Sequence, residues 1–109
     1  MVVASINMKT MELWLNYNFE WDPEKAKSNI RKHKMSFQRA ANVFLDPFAI
    51  SLFDEEHSYD EERWVTLGKD NNGVILVVVH TFKKIDIKAC TIRIISARKA
   101  TKRERRQYE

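Results

Sequence analysis

Four β-type runs separated by short polar segments dominate the second half of the sequence. They are Phe48 to Phe53, Arg63 to Leu67, Val74 to Val79 and Lys88 to Ser96. Strands that follow one another through short turns pair in an antiparallel way, because a parallel crossover needs a dozen or more residues. This half of the chain therefore predicts a mainly antiparallel sheet, which helices from elsewhere in the chain would cover.

The same residues predict the turns and faces of this sheet. Asn72-Gly73 tolerates positive φ and marks a hairpin turn, and we expect a second turn at Lys83 to Asp86. Val74 to Val79 is apolar at successive positions, which is typical of a central strand covered on both sides or of a strand beside a cleft. In the last strand we expect one face to carry Ala89, Thr91, Arg93 and Ile95 and the other to carry Cys90, Ile92, Ile94 and Ser96.

Two helix starts precede the sheet. Asp22-Pro23-Glu24 combines a capping aspartate, a proline at the first helical position and a carboxylate in the first turn, so it predicts a helix from Pro23 to about Lys34. The thin apolar stripe of this helix consists of Ala26, Ile30 and His33. Ser36 caps a second helix with the pattern of a core element, and Asp46-Pro47 ends it. The apolar positions of the second helix are Phe37, Ala40, Ala41, Phe44 and Leu45.

The segment before the first helix predicts one more strand. Apolar residues alternate from Met11 to Trp21, and we expect the residues before Met11 to form a frayed tail. The chain has 109 residues, of which 44% are hydrophobic, which suits one small domain. The expected fold class is α+β, with two N-terminal helices packed on a mainly antiparallel sheet and a short C-terminal helix.

The chain ends in a strongly basic segment, Arg93 to Glu109. Seven of its 17 residues are Arg or Lys and two are Glu, a net charge of +5, whereas the other 92 residues have a net charge of −1. Thr101 and Glu104 have the spacing of a capping box, so a short helix should follow the last strand. Positive charge concentrated at one end favours a polyanionic partner, either a nucleic acid or an acidic protein segment.

Other features bear on the compartment and on cofactors. No run approaches the roughly 18 apolar residues of a membrane span, and Met1 to Asn18 lacks the apolar stretch of a signal peptide, so we expect a cytoplasmic protein that does not contact the membrane. Cys90 is the only cysteine, which excludes an internal disulfide and a cysteine-based zinc site. The sequence has neither a glycine-rich phosphate loop nor a His-x-x-x-His pair, and we expect neither a metal nor a cofactor.

Cations on the sheet suit chemistry on a phosphodiester, where Arg and Lys stabilise charge on phosphate oxygens. Arg63 and Arg93 are the candidates. Arg93 interrupts an apolar run, so it either lies on an open sheet face or pairs with a carboxylate, and a surface ion pair is the alternative for Arg63. His80 is a candidate proton donor because histidine titrates near neutrality; the alternative is a hydrogen-bonded core histidine.

The remaining candidates lie at helix ends and in loops. His33 suits an interaction with the dipole of the first helix. His57 lies among the six carboxylates of Asp54 to Glu62, and we interpret this segment as a solvated loop and not as a metal site. Candidates for contacts with RNA phosphates at the basic end are Arg98, Lys99, Arg103 and Arg106, with a solvated helix as the alternative. Tyr108 is either an anchor to the sheet or a stacking platform for a base.

Several short segments, in this order and spacing, resemble the BrnT toxins of bacterial type II toxin–antitoxin systems. They are Phe19 to Ala26, Asn29, Lys32-His33, Ser36-Phe37, Ala40-Ala41, Val43-Phe44, Asp46-Pro47, Glu62-Arg63 and Arg93 to Ala100. The resemblance runs from Phe19 to Tyr108. We therefore expect residues 19–109 to form one BrnT-like domain and residues 1–18 to form an N-terminal extension that includes part of the first strand. Lys34 stands where the family usually has glycine, so we expect a differently shaped helix junction there.

The resemblance implies a compact RelE-like fold and a metal-independent endoribonuclease that cleaves RNA and inhibits translation. It also implies a BrnA-type ribbon-helix-helix antitoxin as partner, and contact with operator DNA only through the toxin–antitoxin complex. Arg63, Arg93 and Arg98 lie in matched segments and carry over as functional candidates. The alternative is a non-catalytic basic module that binds only nucleic acid or the antitoxin.

Overall fold

A computed structural model describes the backbone of residues 2–10 and 13–109 and the side chains of residues 17–109. Within these residues the strands are β1 (Val2–Thr10), β2 (Leu13–Trp21), β3 (Ile50–Phe53), β4 (Arg63–Lys69), β5 (Ile75–Thr81), β6 (Lys83–Asp86) and β7 (Ala89–Lys99). The helices are α1 (Pro23–His33), α2 (Phe37–Ala41) and α3 (Lys102–Tyr108), and the 3-10 turn Asn42–Leu45 extends α2. This arrangement confirms the predicted α+β class.

The strands form one mixed sheet in the order β1-β2-β7-β5-β4-β3, and β6 also pairs with β7. β2 and β7 run parallel, while the other pairs are antiparallel. The parallel pair arises because the segment between β2 and β7 includes the helices and the antiparallel strands. β7, the longest strand with 11 residues, therefore lies beside both β2 and β5.

Each face of the sheet is covered by helices. On the first face, α1, α2 and the 3-10 turn enclose a core that includes Phe19, Phe37, Leu76, Val78 and Ile92. On the second face, Tyr108 of α3 packs against a smaller cluster of Leu67, Ile75, Val77 and Ala100. β5 contributes to both clusters, which confirms the prediction of a central strand covered on both sides.

A β-bulge in β7 corrects the predicted alternation of that strand. Val79 pairs with Ser96, whereas the next residue, His80, pairs with Ile94, so Ile95 has no partner on β5. The extra residue changes which side chains share a face. Arg98 pairs with Val77, and both therefore lie on the α3 face, as does Arg93 on the other side of the bulge. Ser96 does not share a face with Ile94, contrary to the prediction.

Helix α1 is fixed to the sheet by a polar residue that the apolar pattern did not identify. Ile30 is 48% exposed and His33 is exposed, so of the predicted stripe only Ala26 packs against the core. Instead the buried Asn29 donates to the carbonyls of Met35 and Ala97, both at 2.8 Å, and accepts from the Ala97 N–H at 3.1 Å. These bonds satisfy backbone groups of Met35 and of Ala97, which lies beyond the part of β7 that pairs with β2.

The junction between α1 and α2 has the backbone conformation that usually requires glycine. Lys34 has φ 56° and ψ 36°, and its N–H bonds to the Ile30 carbonyl. This is a left-handed cap of the kind that glycine adopts most readily, so the lysine does not reshape the junction as we had expected. The predicted core role of α2 holds for Phe37, Ala40 and Ala41, which are buried, whereas Leu45 is 39% exposed because the 3-10 turn rotates it away from the α-helical stripe.

Two further predictions differ from the structure. Lys83–Asp86 is a short strand and not a turn, since its backbone pairs with the start of β7. Residues before Met11 were expected to form a frayed tail, but Val2–Thr10 pairs with Leu13–Trp21 in an antiparallel hairpin. Met11, the predicted beginning of the strand, lies outside the described residues.

Candidate active site

A cavity of about 150 Å³ opens on the α3 face of the sheet and brings Arg63 and Arg93 together. Arg63 is the first residue of β4 and lies opposite Thr81 at the end of β5. The backbone N–H of Arg93 lies 3.3 Å from Thr81 Oγ1, which places Arg93 beside this pair on the neighbouring strand. The lining residues are His57, Tyr59, Asp60, Glu61, Arg63, Thr81 and Arg93.

The two arginines differ in their present partners. Arg93 Nη2 donates to Glu61 Oε1 at 2.6 Å, and the two side chains are 32% and 52% exposed. Both interpretations of Arg93 thus hold together, because it lies in an open cavity and is also paired. Among side chains 17–109, no ion pair includes Arg63. A pair as exposed as that of Arg93 stabilises a protein by only about 0–1 kcal/mol, so the Arg93–Glu61 pair can open at little cost.

The loop between β3 and β4 is held against the start of β4 and forms one wall of the cavity. Ser58 Oγ donates to the Asp54 carbonyl at 2.5 Å and accepts from the Arg63 N–H at 2.9 Å. Asp54 N–H donates to the Arg63 carbonyl at 2.8 Å. These bonds direct the loop back over the strand, and His57 therefore lines the cavity although the sequence suggested only a solvated loop.

His80 lies on the opposite face of the sheet from Arg63 and Arg93. It is buried, its Nδ1 donates to the Thr81 carbonyl at 2.9 Å, and the Thr66 hydroxyl donates to its Nε2 at 2.6 Å. Burial, which outweighs the hydrogen bond to Thr81, lowers the pKa of His80 to about 4. The ring is neutral at pH 7 and packs edge-to-face on Phe44. The structure does not bring this predicted proton donor to the arginines, and its surroundings match those of a core histidine.

A second cavity, of about 260 Å³, lies beside His80 on the α1 and α2 face. It is lined mainly by aromatic and aliphatic side chains: Tyr17, Phe44, Ser51, Trp64, His80, Phe82 and Ile92. Ser51 Oγ lies 2.7 Å from Thr66 Oγ1. Because the Thr66 hydroxyl donates to His80, the serine donates to the threonine. This chain of bonds satisfies buried polar groups, and no arginine lines the cavity.

The basic C-terminal segment is held to the fold by several polar bonds. Arg98 makes a two-pronged contact with Glu104 at 2.7 and 2.9 Å, and Glu104 also accepts from the Thr101 N–H in the predicted capping box. The hydrogen bonds from Arg98 are the largest cause of the low pKa of Glu104, about 2. Lys99, Arg103 and Arg106 make no ion pair among the described side chains.

Tyr108 fixes the other end of α3. Its hydroxyl donates to Asp46 Oδ2 at 2.6 Å, and the Lys69 ammonium lies 5.5 Å from the ring centre. The bond to Asp46 raises the pKa of Tyr108 to about 12. Tyr108 is thus in the position predicted for an anchor, and a stacking role stays a prediction.

The described residues contain no group of three or more His, Cys, Asp or Glu side chains that could hold a metal ion. None of their helices has the length and hydrophobicity to cross a membrane.

Comparison with known proteins identifies the family. Residues 21–104 match the family model described as the ribonuclease toxin BrnT of type II toxin–antitoxin systems. The chain belongs to the BrnT family. All residues that line the arginine cavity of this BrnT chain lie inside the matched segment, as do Arg98, Lys99 and Arg103, whereas Arg106 and Tyr108 lie beyond it. Membership of a type II system implies an antitoxin partner.

The fold of this BrnT chain is also similar to a solved structure. The 1.1 Å crystal structure of the Brucella abortus ribonuclease toxin BrnT matches with a TM-score of 0.54 and 24% identity. The match covers 77% of this chain and 96% of the other. No curated protein matches the chain.

Sequence reasoning singled out Arg63 and Arg93, which the structure places in one cavity, but not the loop residues that line it with them. His57 and Glu61 were not identified as cavity residues because they lie in a segment with six carboxylates, which is typical of a solvated loop. One local signal was available, since Asp54 and His57 are three residues apart and their side chains interact in the structure. A carboxylate that accepts a hydrogen bond from Nδ1–H of a histidine fixes the orientation of the ring.

Proposed function

We propose that this BrnT-family chain is a metal-independent endoribonuclease of RelE-like architecture, which cleaves RNA in the cytoplasm and thereby inhibits translation. The observation that supports this proposal is the placement of Arg63 and Arg93 in one open cavity. Two guanidinium groups beside one phosphate supply the positive charge that would otherwise come from a metal ion. Each such donor typically accelerates a reaction by about a hundredfold to a thousandfold.

The cavity suits a phosphodiester because its cations are accessible. Arg93 is partly exposed and has one exposed partner, while Arg63 lies at the start of β4 with its backbone fixed by Ser58. The strand positions place both arginine side chains at the same cavity before substrate binds. Positive charge that is in place before the reaction stabilises the transition state, in which negative charge develops on the phosphate oxygens, more than it stabilises the bound substrate.

We propose that the RNA continues from this cavity toward α3, which covers the same face of the sheet. Lys99, Arg103 and Arg106 are exposed, so they can contact flanking phosphates without losing a described ion pair. Arg98 and Tyr108 were candidates for the same role, and we now assign them mainly to holding α3 in place. Contacts with phosphates make affinity depend strongly on salt.

The partner that we propose is a BrnA-type ribbon-helix-helix antitoxin that covers the basic end, and operator DNA is contacted only through that complex. Exposed cations at the edge of an interface mainly set the association rate. Reversal of Lys102 and Arg103 to Glu should therefore slow antitoxin association at low salt and flatten its salt dependence. If the charge-reversed variant and the wild type associate with the antitoxin at equal rates at both salt concentrations, the antitoxin binds another surface.

The main test is cleavage of RNA by the purified full-length chain in EDTA, with and without ribosomes. We expect cleavage in EDTA, no requirement for added Mg²⁺, and slowed growth when the chain is expressed without an antitoxin. A chain that binds RNA in a salt-sensitive way but leaves it intact would instead be a non-catalytic binding module. Cleavage that stops in EDTA and returns with Mg²⁺ would contradict the metal-independent mechanism.

A further inference from the structure

The arginine cavity also contains an imidazole, that of His57. Its Nδ1 lies 2.9 Å from Asp54 Oδ2 and 3.1 Å from Oδ1, and its backbone N–H also donates to Asp54 at 3.3 Å. An ionised carboxylate only accepts hydrogen bonds, so Nδ1 carries the proton and Nε2 keeps a lone pair when the ring is neutral. We propose that His57, oriented by Asp54, is the general base of this site and accepts the proton of the attacking 2′-hydroxyl group.

The position of His57 in the loop supports this assignment. The bonds of Ser58 and Asp54 to the start of β4 fix the residues on both sides of His57 relative to Arg63. The imidazole is half-exposed, so a bound RNA strand can reach it. Among the described residues, its hydrogen bonds are to Asp54 alone, which leaves Nε2 available.

The other candidate bases suit the role less well. The Glu61 carboxylate is bound to Arg93 at 2.6 Å, so proton uptake by Glu61 would break an ion pair to one of the two phosphate-binding groups. His80 lies on the other face of the sheet, and both of its ring nitrogens are already bonded. His57 has a free nitrogen on the correct face.

The charges around His57 are of both signs. The charged groups of the cavity and its loop wall are Asp54, Asp60 and Glu61 from the loop, Arg63 from β4 and Arg93 from β7, and the Tyr59 hydroxyl is also present. Asp54 contacts the ring directly and therefore stabilises the imidazolium that forms when the proton arrives, as the carboxylate does in a catalytic triad. The positive charges of the arginines disfavour the imidazolium. The negative charge of the phosphate that the arginines bind offsets this effect.

The proposed step is an internal transesterification of RNA. The 2′ oxygen attacks the adjacent phosphorus while its proton moves to Nε2 of His57, and the bond from phosphorus to the 5′ oxygen of the next nucleotide breaks. The departing oxygen takes a proton from solvent water, and His57 then returns its proton to the solvent. The products are a 2′,3′-cyclic phosphate and a 5′-hydroxyl end. This inference rests on the proposed ribonuclease function and names the base of that reaction.

The test compares single-turnover cleavage of a single-stranded RNA by the wild-type chain, His57→Asn, Asp54→Asn and the double variant. His33→Asn is the matched control, because it removes another exposed histidine that lies outside the cavity. Binding of an otherwise identical oligonucleotide with 2′-deoxy sugars, which cannot be cleaved, separates affinity from chemistry. The melting temperature of each variant checks its fold.

We expect His57→Asn to lower the cleavage rate by about a hundredfold to ten-thousandfold, with unchanged binding of the deoxy oligonucleotide and an unchanged melting temperature. The wild-type rate should fall as the medium is acidified, because a protonated His57 cannot accept a proton, and the residual rate of His57→Asn should lack this fall. Added imidazole should partly rescue His57→Ala. Asp54→Asn should have a smaller effect, and the double variant should be no slower than His57→Asn.

The outcomes separate this inference from the function on which it rests. If the wild-type chain leaves RNA intact, the ribonuclease proposal fails and the base assignment fails with it. If the wild type and His57→Asn cleave at equal rates, or if the variant keeps the acid-side fall, only the base assignment is overturned. Cleaved ends other than a 2′,3′-cyclic phosphate and a 5′-hydroxyl would also overturn it.

Discussion

Two arginine–carboxylate pairs lie on the same face of the sheet and have different relations to the fold. Arg93 makes one bond to Glu61, whose carboxylate has no other partner among the described residues. Arg98 makes two bonds to Glu104, whose carboxylate also caps the first turn of α3. The first pair can open without changing any element of secondary structure, whereas the second connects β7 to a helix. The functional availability of an arginine therefore depends on what else its carboxylate holds.

Of the two pairs, the Arg93–Glu61 pair should give the larger effect on RNA cleavage when its arginine is removed. Arg93→Ala should lower the rate of RNA cleavage by about a hundredfold to a thousandfold, because it removes one donor to the developing phosphate charge. The melting temperature should change little, since an exposed pair stabilises the fold by only about 0–1 kcal/mol. Single-turnover cleavage and thermal unfolding of the same preparations measure the two quantities.

Arg93→Lys is the matched control for this prediction. Lysine keeps the charge but loses the planar fork of arginine, so its rate should lie between those of the wild type and Arg93→Ala. A large drop in melting temperature for Arg93→Ala, with cleavage lost only in proportion to unfolding, would show that Arg93 is a structural residue like Arg98.

Removing the arginine of the other pair, Arg98–Glu104, should instead lower the stability of the fold. Arg98→Ala should lower the free energy of unfolding by about 1–2 kcal/mol. This is the usual value for hydrogen bonds between charged groups, reduced because both side chains are partly exposed. Since the pKa of Glu104 is about 2 in the folded chain against 4.5 for an ordinary glutamate, this stabilisation is present in full above about pH 4.5. It is lost as the pH falls toward about 2.

Chemical denaturation of the wild type and Arg98→Ala at several pH values measures this difference. The two unfolding curves should be well separated at neutral pH and should approach each other between about pH 4.5 and pH 2. A separation that stays constant over this range would mean that Arg98 stabilises the fold by packing and not through Glu104.

The hydrogen bond from the Tyr108 hydroxyl to Asp46 also holds α3 to the fold, and we expect it to contribute less stability than the Arg98–Glu104 pair. Tyr108→Phe should cost about 0.5–1.5 kcal/mol, the usual value of one hydrogen bond, and leave the contacts of the ring in place. Because the pKa of Tyr108 is raised from 10.0 to about 12, the hydroxyl stabilises the fold below pH 10 and this stabilisation is lost as the pH rises toward 12. Denaturation at neutral pH is the measurement, and an unchanged free energy of unfolding would mean that the bond to Asp46 does not stabilise the fold.

The parts of the fold that sequence reasoning predicted are those that depend on local chemistry. The side chains of Asp22, Ser36 and Thr101 accept hydrogen bonds from backbone N–H groups at the starts of the three helices. The Asn72-Gly73 turn also follows from its own residues, and Gly73 has φ 77°. Each of these features is decided within a few residues, so a single sequence is sufficient to identify it.

The composition of the site depends on pairing between distant strands, which the sequence does not specify. The bulge at Ile95 exists only in the register between β5 and β7, and without it Arg93 and Arg98 would lie on opposite faces. His80 appeared suitable as a proton donor because its neighbours along β5 were known but its face relative to Arg93 was not. His57 reaches the cavity through bonds of its loop to β4, which no periodicity indicates.

The smallest expected effect tests whether Glu61 competes with RNA for Arg93. Glu61→Gln removes the charge that holds the Arg93 guanidinium, so affinity for a non-cleavable RNA should rise, at most about fivefold, because the ion pair is exposed. Glu56→Gln is the matched control, since it removes one negative charge from the same loop at a residue that does not line the cavity. Dissociation constants at low and moderate salt are the measurement. If both variants raise affinity equally, the effect is one of net charge, and Glu61 does not compete specifically for Arg93.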